Sequence, residues 1–265
     1  MRILLLGATG NLGTRLVPAL LAHNHVITIL IRTSSLSKLP TLFSPSLLPQ
    51  ISVIAEGDAT NVADIKKAIV ENGIEGIVNV AGTQVKKGEF LLPKIAKAVT
   101  SAAVEVGHER GKSLRVWITA GLGIMKYPGT GWEIQDFMPK FAAVQHDATR
   151  TVVEAIPTTD LRWSLLAIAM MYPIDPKQGI FEPIEKIEPH GLLVSAGSPP
   201  GWRDHWLGRL WWIGPYLNVW RAALGDYGTH YENVADFLAE DMEWGGDERV
   251  GKRVALKEHW GKKDI

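Results

Sequence analysis

The sequence predicts an α/β fold built on a doubly wound parallel sheet, and three observations point to it. Short, continuous apolar runs that suit strands buried on both faces alternate with stretches whose apolar residues recur at helical spacing. The alternation runs from residue 2 to about residue 170, which is the rhythm of an open parallel sheet with helices on both faces. The first apolar run ends in a glycine triplet, GATGNLG at residues 7–13, that opens the first helical stretch.

Arg2–Leu6 is a continuous apolar run closed by glycine and reads as a buried strand. Leu12, Leu16, Val17, Leu20 and Leu21 follow at helical spacing, with Pro18 among them costing one backbone hydrogen bond and allowing a local kink. Val26–Ile31 is a second strand and Ser52–Ala55 a third; the Ser/Pro/Leu-rich stretch 33–50 between them reads as a loop with room for one short helix. Val62–Val70 is a helix with Ile65, Ala68 and Ile69 on one side, Gly76–Ala81 a fourth strand, and Phe90–Val106 a long helix. Leu114–Ala120 is a fifth strand, Met138–Ala155 a helix, and Trp163–Met170 a sixth strand. After about residue 173 the rhythm breaks. Proline and glycine cluster at 173–201 and tryptophan at 202–220, and a last amphipathic helix over 231–244 carries Val234, Phe237, Leu238 and Met242 on one face. The expected organisation is a core over 1–173 with 174–265 packed on it as a small C-terminal lid, all one structural unit.

The chain of 265 residues fits one large domain, and with 46% hydrophobic residues it can bury a sizeable core. Twenty-eight basic residues balance 28 acidic ones, so no excess of positive charge argues for nucleic acid or an anionic membrane surface. The absence of cysteine excludes disulfides, thiolate metal sites and a cysteine nucleophile, and a cytoplasmic location is expected. The apolar run Ile3–Leu6 is too short for a signal peptide or a membrane span. The eight histidines are scattered and no His-Glu-x-x-His occurs, so no metal site is expected. There is no Gly-x-Ser-x-Gly elbow, since LVSAG at 193–197 lacks the first glycine, and no Gly-Lys-Ser/Thr loop for a nucleoside triphosphate.

The glycine triplet has a physical reading. Gly7 permits a tight turn, Gly10 lets the backbone approach a pyrophosphate, and Gly13 allows the helix to pack closely on the strand. With Thr9, Asn11 and Leu12 these residues would present unpaired N–H groups and the positive end of a helix dipole to an anion. A plain strand-to-helix turn is the alternative, and the strand–loop–helix context at the start of the chain favours the dinucleotide site of a Rossmann-like fold. The spacing is Gly-x-x-Gly-x-x-Gly, and here the chain resembles the atypical short-chain dehydrogenase/reductases, the group that includes NmrA-like proteins. The resemblance extends over most of the chain. GDATN at 57–61 is similar to the segment that cups the adenine, which would place Asp58 and Ala59 there with Asp58 toward the amino group. NVAG at 79–82 is similar to the backbone along the nicotinamide-side ribose, which implicates Ala81 and Gly82. YENVADFLAED at 231–241 resembles the late helix of that family, with Asn233 where an acidic residue is usual.

The second strand ends ITILIRTSSLSKL. A site for NAD usually carries a carboxylate there to hold the ribose 2′-hydroxyl. This chain has Arg32, whose planar fork suits a 2′-phosphate, followed by Thr33, Ser34, Ser35 and Lys38 as further donors. NADP(H) is therefore the expected cofactor, as the resemblance also implies; a solvated surface arginine is the alternative.

The resemblance further implies a Tyr-x-x-x-Lys pair in which the phenol exchanges a proton with substrate. None of the five tyrosines has lysine four residues on. The matching spacing is His146-x-x-x-Arg150, with Glu154 four further along the same helical face. His146 could act as general acid and Arg150 could hold a ribose hydroxyl or an anionic group; a surface helix with an Arg150–Glu154 pair weighs equally. Thr119, at the end of the fifth strand, is the candidate to hydrogen-bond a substrate oxygen, with Gly121 and Gly123 allowing close approach; Tyr127 on the following loop is a reserve acid or a wall residue. Five of the ten tryptophans fall in 201–225, with Trp202, Trp206, Leu210 and Ile213 on one helical stripe. Core packing is the common reason for such a stripe, and an aromatic pocket wall for a hydrophobic substrate is the functional one. The expected activity is an NADPH-dependent reductase of a small aromatic or conjugated carbonyl or enone, acting as monomer or homodimer. A non-redox isomerase, cyclase or dehydratase of the same fold and an NmrA-like NADP(H)-sensing regulator are the alternatives.

Overall fold

The computed structural model describes residues 1–82, 90–204, 206, 213–244 and 247–259. The six predicted strands form as β1 (Arg2–Leu6), β2 (Val26–Ile31), β3 (Val53–Glu56), β4 (Gly76–Asn79), β5 (Arg115–Gly121) and β6 (Arg162–Ile168). The predicted helices form as α1 (Asn11–Ala22), α3 (Val62–Glu71), α4 (Leu91–Arg110) and α5 (Lys140–Glu154), and the loop after β2 holds the single-turn α2 (Leu39–Leu42). Asn61 caps α3 by accepting from the Ala63 N–H at 3.0 Å, and α4 stops at Gly111, whose left-handed φ of 63° suits glycine. The strands lie in the order β3-β2-β1-β4-β5-β6 and are all parallel.

Strand alternation divides the core into two layers. Ile3, Leu5, Ile27 and Ile29 face a layer covered by α1, whereas Leu4, Leu6 and Leu30 face one covered by α3 and α4. This is the doubly wound architecture, with helices on both faces of the sheet.

The C-terminal third contributes more than a lid. It comprises β7 (Met171–Tyr172), β8 (Leu192–Ala196), α6 (Gly214–Arg221), β9 (Thr229–His230), α7 (Tyr231–Trp244) and β10 (Lys252–Glu258). β10 extends the sheet parallel to β6, and β8 closes that edge antiparallel to β10. α7 buries Val234, Phe237, Leu238 and Met242 beside α1 in the first layer. A buried charge cluster ties α7 to the sheet. Asp241 Oδ2 accepts from the Arg115 guanidinium at 2.8 Å and from Trp117 Nε1 at 2.7 Å, while its Oδ1 accepts from Arg249 at 2.7 Å. Among the described residues no helix is long and apolar enough to cross a membrane.

Candidate functional site

The strand order reverses direction between β1 and β4, and the crevice beyond their carboxyl ends is where an open α/β sheet binds ligands. The glycine loop occupies that point. Gly7 has φ of +92°, and a Cβ there would lie 2.7 Å from the Ala81 nitrogen and 2.8 Å from the Val80 carbonyl carbon, so only glycine lets the loop lean on the end of β4. The Gly10 N–H donates to the Gly7 carbonyl at 2.9 Å, closing the turn. No side chain caps α1, so its first N–H groups are left for an anion, with Gly10 and Asn11 exposed around them. Leu12 is buried and anchors the turn. The Asn11 side-chain amide donates to the Tyr231 hydroxyl at 3.4 Å, bringing the start of α7 to the loop.

Arg32 is exposed just past β2. Among the described residues its guanidinium has neither a hydrogen-bond acceptor nor an ion-pair partner. Thr33 donates its hydroxyl to Glu56 Oε2 at 2.8 Å. Asp58 follows β3, and its Oδ1 accepts from both the Thr60 N–H and the Thr60 hydroxyl at 2.7 Å. These bonds hold the carboxyl below the ordinary aspartate range, with Arg32 assisting, so Asp58 is an anion with Oδ2 left to accept from a ligand. Ala59 is half-buried against the second core layer. Glu56 went unnoticed in the sequence because its bond to Thr33 spans the loop between two strands.

On the opposite side of the crevice, Ala81 donates its N–H to the Asn79 side chain at 3.1 Å, and Gly82 packs so tightly that a Cβ would meet Leu92 Cδ1 at 2.3 Å. Thr119 donates its hydroxyl to the Asn79 carbonyl at 3.2 Å, joining the ends of β5 and β4. The His146 imidazole lies against Gly121 at the end of β5, where a Cβ would come within 2.8 Å of Cδ2 and 3.0 Å of Nε2. Its Nδ1 is buried and has no partner, and burial lowers its pKa below the usual imidazole value, so the ring is neutral at pH 7. Two glutamine oxygens, Gln135 Oε1 and Gln145 Oε1, are likewise buried without partners.

His146 and Arg150 share a helix but point into different company. Arg150 donates to Asp147 at 2.5 Å and to Glu154 at 3.3 Å, and lies 3.6 Å from Glu133. Arg253 of β10 joins the same carboxylates, bonding Glu154 at 2.5 Å and Glu133 at 2.5 Å. This network fastens α5 to β10 and occupies the Arg150 guanidinium. Tyr127 is enclosed by Phe137 and Trp202, at centroid distances of 5.4 and 5.2 Å. Its hydroxyl donates to Asp204 Oδ1 at 3.0 Å and accepts from Asn218 at 2.9 Å. Burial raises the phenol pKa, so Tyr127 stays protonated. These partners lie 77 and 91 residues away in the chain, beyond the reach of local pattern.

Trp202 does not join the expected helical stripe: 202–204 carry no helix, and Trp202 packs instead between Tyr127 and Tyr227. Leu210 lies outside the described residues. Ile213 precedes α6 and is exposed together with Tyr216, Leu217 and Trp220. Among the described residues no group of three or more His, Asp or Glu side chains could hold a metal ion.

Residues 7–191 match the family described as NAD(P)H-binding. UDP-glucose 4-epimerase of Neisseria meningitidis serogroup B is 24% identical over 214 residues, which are 75% of this chain and 62% of that protein. The chain thus spans less than two thirds of the length of that curated relative. Among solved structures, a protein from Lactobacillus casei superposes with a TM-score of 0.65 at 13% identity, covering 97% of this chain and 99% of that one. The oxidoreductase ylbE from Lactococcus lactis gives a TM-score of 0.59 at 13% identity, covering 97% and 91%. At these identities the structures are alike in fold.

Proposed function

The chain belongs to the NAD(P)H-binding family, and from that premise we propose that it is an NADPH-dependent reductase of a small conjugated or aromatic carbonyl compound. The bound nucleotide supplies the hydride. The residues of the crevice fit such a group: Gly7 and Gly13 leave a cradle that side chains would fill, and Arg32 presents an unpaired guanidinium where a 2′-phosphate would lie.

The observation that carries the reading is the unpartnered His146 imidazole beside Gly121, because a buried polar atom without a partner is costly unless a ligand meets it. As a neutral ring, His146 would offer an N–H to the substrate oxygen as charge develops on it. It would act as a hydrogen-bond donor, not as an imidazolium. Thr119 keeps the ends of β4 and β5 in register beneath that oxygen, and Arg150 holds α5 and hence His146 in place. The substrate would be a hydrophobic small molecule lying against the aromatic residues around Tyr127.

Titration with NADPH and NADP⁺ by nucleotide fluorescence, followed by a panel of quinones, enones and aromatic ketones, tests the proposal. Substrate-dependent loss of NADPH supports it, and tight binding without turnover overturns it. The similarity to an epimerase favours a second reading, conversion of substrate without net consumption of nucleotide, which product analysis in the same assay detects.

Two variants sharpen the test. His146→Ala is expected to lower kcat by about 100-fold, the low end for loss of an acid–base or oxyanion-directed group, with NADP⁺ affinity within about twofold. Gly121→Ala should follow it in kcat, since the new methyl would displace the imidazole. Unchanged kcat in both would remove His146 from the chemistry. Arg32→Glu is expected to reverse the nucleotide preference from NADPH to NADH, and unchanged NADPH affinity by fluorescence titration would refute the role given to Arg32.

A further inference from the structure

The mouth of the adenosine side holds charges of both signs. Arg32 and Lys38 are exposed cations which, among the described residues, have no acceptor or ion-pair partner. Glu56 stands at the end of β3, in register with Ile31, the residue before Arg32. Glu56 and Arg32 do not neutralise each other, because no ion pair joins them. Asp58 adds a second carboxylate two residues on, already satisfied in part by Thr60.

The direction of one hydrogen bond then matters. A threonine hydroxyl has a single proton and two lone pairs. Thr33 gives that proton to Glu56 Oε2 at 2.8 Å, so toward a ligand its oxygen can only accept. An accepting oxygen backed by a carboxylate suits a ribose 2′-hydroxyl, which has a proton to give. It disfavours a 2′-phosphate, which carries nearly two negative charges and only acceptor oxygens. Arg32 favours the phosphate instead. The two sides of the site therefore oppose each other.

We propose that Glu56, acting through the Thr33 hydroxyl, is a second determinant of dinucleotide specificity that offsets Arg32 and keeps the site open to NAD(H) as well as NADP(H). This rests on the nucleotide site assigned above. The unaltered protein then prefers NADP⁺ by less than about tenfold, since exposed single charges at a screened surface each contribute little.

The experiment compares the dissociation constants of NADP⁺ and NAD⁺ for the unaltered protein, Glu56→Gln and Thr33→Val, at low and high ionic strength. Glu56→Gln is expected to tighten NADP⁺ by roughly fivefold at low salt and to weaken NAD⁺ slightly, and the gain should shrink at high salt. Thr33→Val removes the accepting oxygen through which Glu56 acts and should move the ratio the same way, toward NADP⁺. Both residues are exposed, so melting curves should coincide with that of the unaltered protein. Binding of both nucleotides with a ratio unchanged in Glu56→Gln, or shifted in opposite directions by the two variants, overturns the proposal alone. Failure of the unaltered protein to bind either nucleotide overturns the site itself, and the proposal with it.

Discussion

Gly13→Ala is expected to abolish dinucleotide binding. A Cβ at Gly13 would lie 1.9 Å from the Gly7 carbonyl oxygen, 2.7 Å from its carbon and 2.8 Å from the Ala8 Cα. All three atoms are backbone, so no flexible side chain can move aside. To admit one methyl group, the first turn of α1 must retreat from β1 or the loop must open. Either movement redirects the N–H groups that would hold the pyrophosphate, whose geometry is the whole of an anion site of this kind. A loss of at least about 100-fold in affinity, or roughly 2.7 kcal/mol, is expected by fluorescence titration. Two other glycines calibrate the effect. Gly10→Ala meets only the Gly7 oxygen, at 3.3 Å, and should weaken binding far less, whereas Gly131→Ala meets nothing within 4 Å and should bind as the unaltered protein does. Equal affinity for Gly13→Ala and Gly131→Ala would mean that the nucleotide does not sit on this loop.

The sequence made the first two thirds of the fold legible because its strands are apolar along their whole length and each is followed by helical spacing. β1, with four consecutive aliphatic residues closed by Gly7, is the plainest case. The later strands were hidden for a physical reason. β10 reads KRVALKE, with charges at both ends, yet Lys257 and Glu258 are buried. Lys257 lies over the Tyr227 ring with Nζ 5.4 Å from its centre, and Glu258 accepts from the His230 N–H at 2.8 Å and from Asn233 at 3.0 Å. Partners drawn from other parts of the chain let a charged pattern fill an interior strand, and local periodicity does not register such partners.

The same division runs through the candidate site. The glycine loop was readable because its constraint is local: each glycine answers a backbone contact within the turn or with the adjacent strand. The spacing of His146 and Arg150 suggested a pair, but helical spacing fixes only the face, not the neighbours. Gly121, at the end of β5, decides where the first lies, whereas the second is held by Asp147 and Glu154 of its own helix and by Glu133 just before it, a network that Arg253 of the sequence-distant β10 completes. Glu56 had no local signal at all, since its significance lies in one hydroxyl proton donated from another strand end.

Asp241→Ala should be the most destabilising of the substitutions considered. Arg115 is fully buried, and burial lowers its pKa while Asp241 opposes that shift by pairing with it. Its Nε already lacks a partner, and apart from Asp241 the cation has the Arg162 and Val116 carbonyls, at 3.0 and 3.4 Å, and the face of the Trp117 ring, none of which carries a full negative charge. Truncating Asp241 strands that charge in the interior, leaves Trp117 Nε1 without its acceptor, and releases Arg249. Breaking a buried pair from one side typically costs about 3–5 kcal/mol, which for a chain of this size corresponds to a fall of roughly 10 °C in Tm. Asp241→Asn keeps an acceptor for Trp117 but not the charge, and should fall between. The informative partner is Asp241→Leu combined with Arg115→Met. Removing both charges eliminates the desolvation cost as well as the attraction, so the double variant should recover most of the lost stability, with a strongly non-additive double-mutant cycle. If the single and double variants melt alike, the cost lies in the packing of α7 against the sheet and not in the stranded guanidinium.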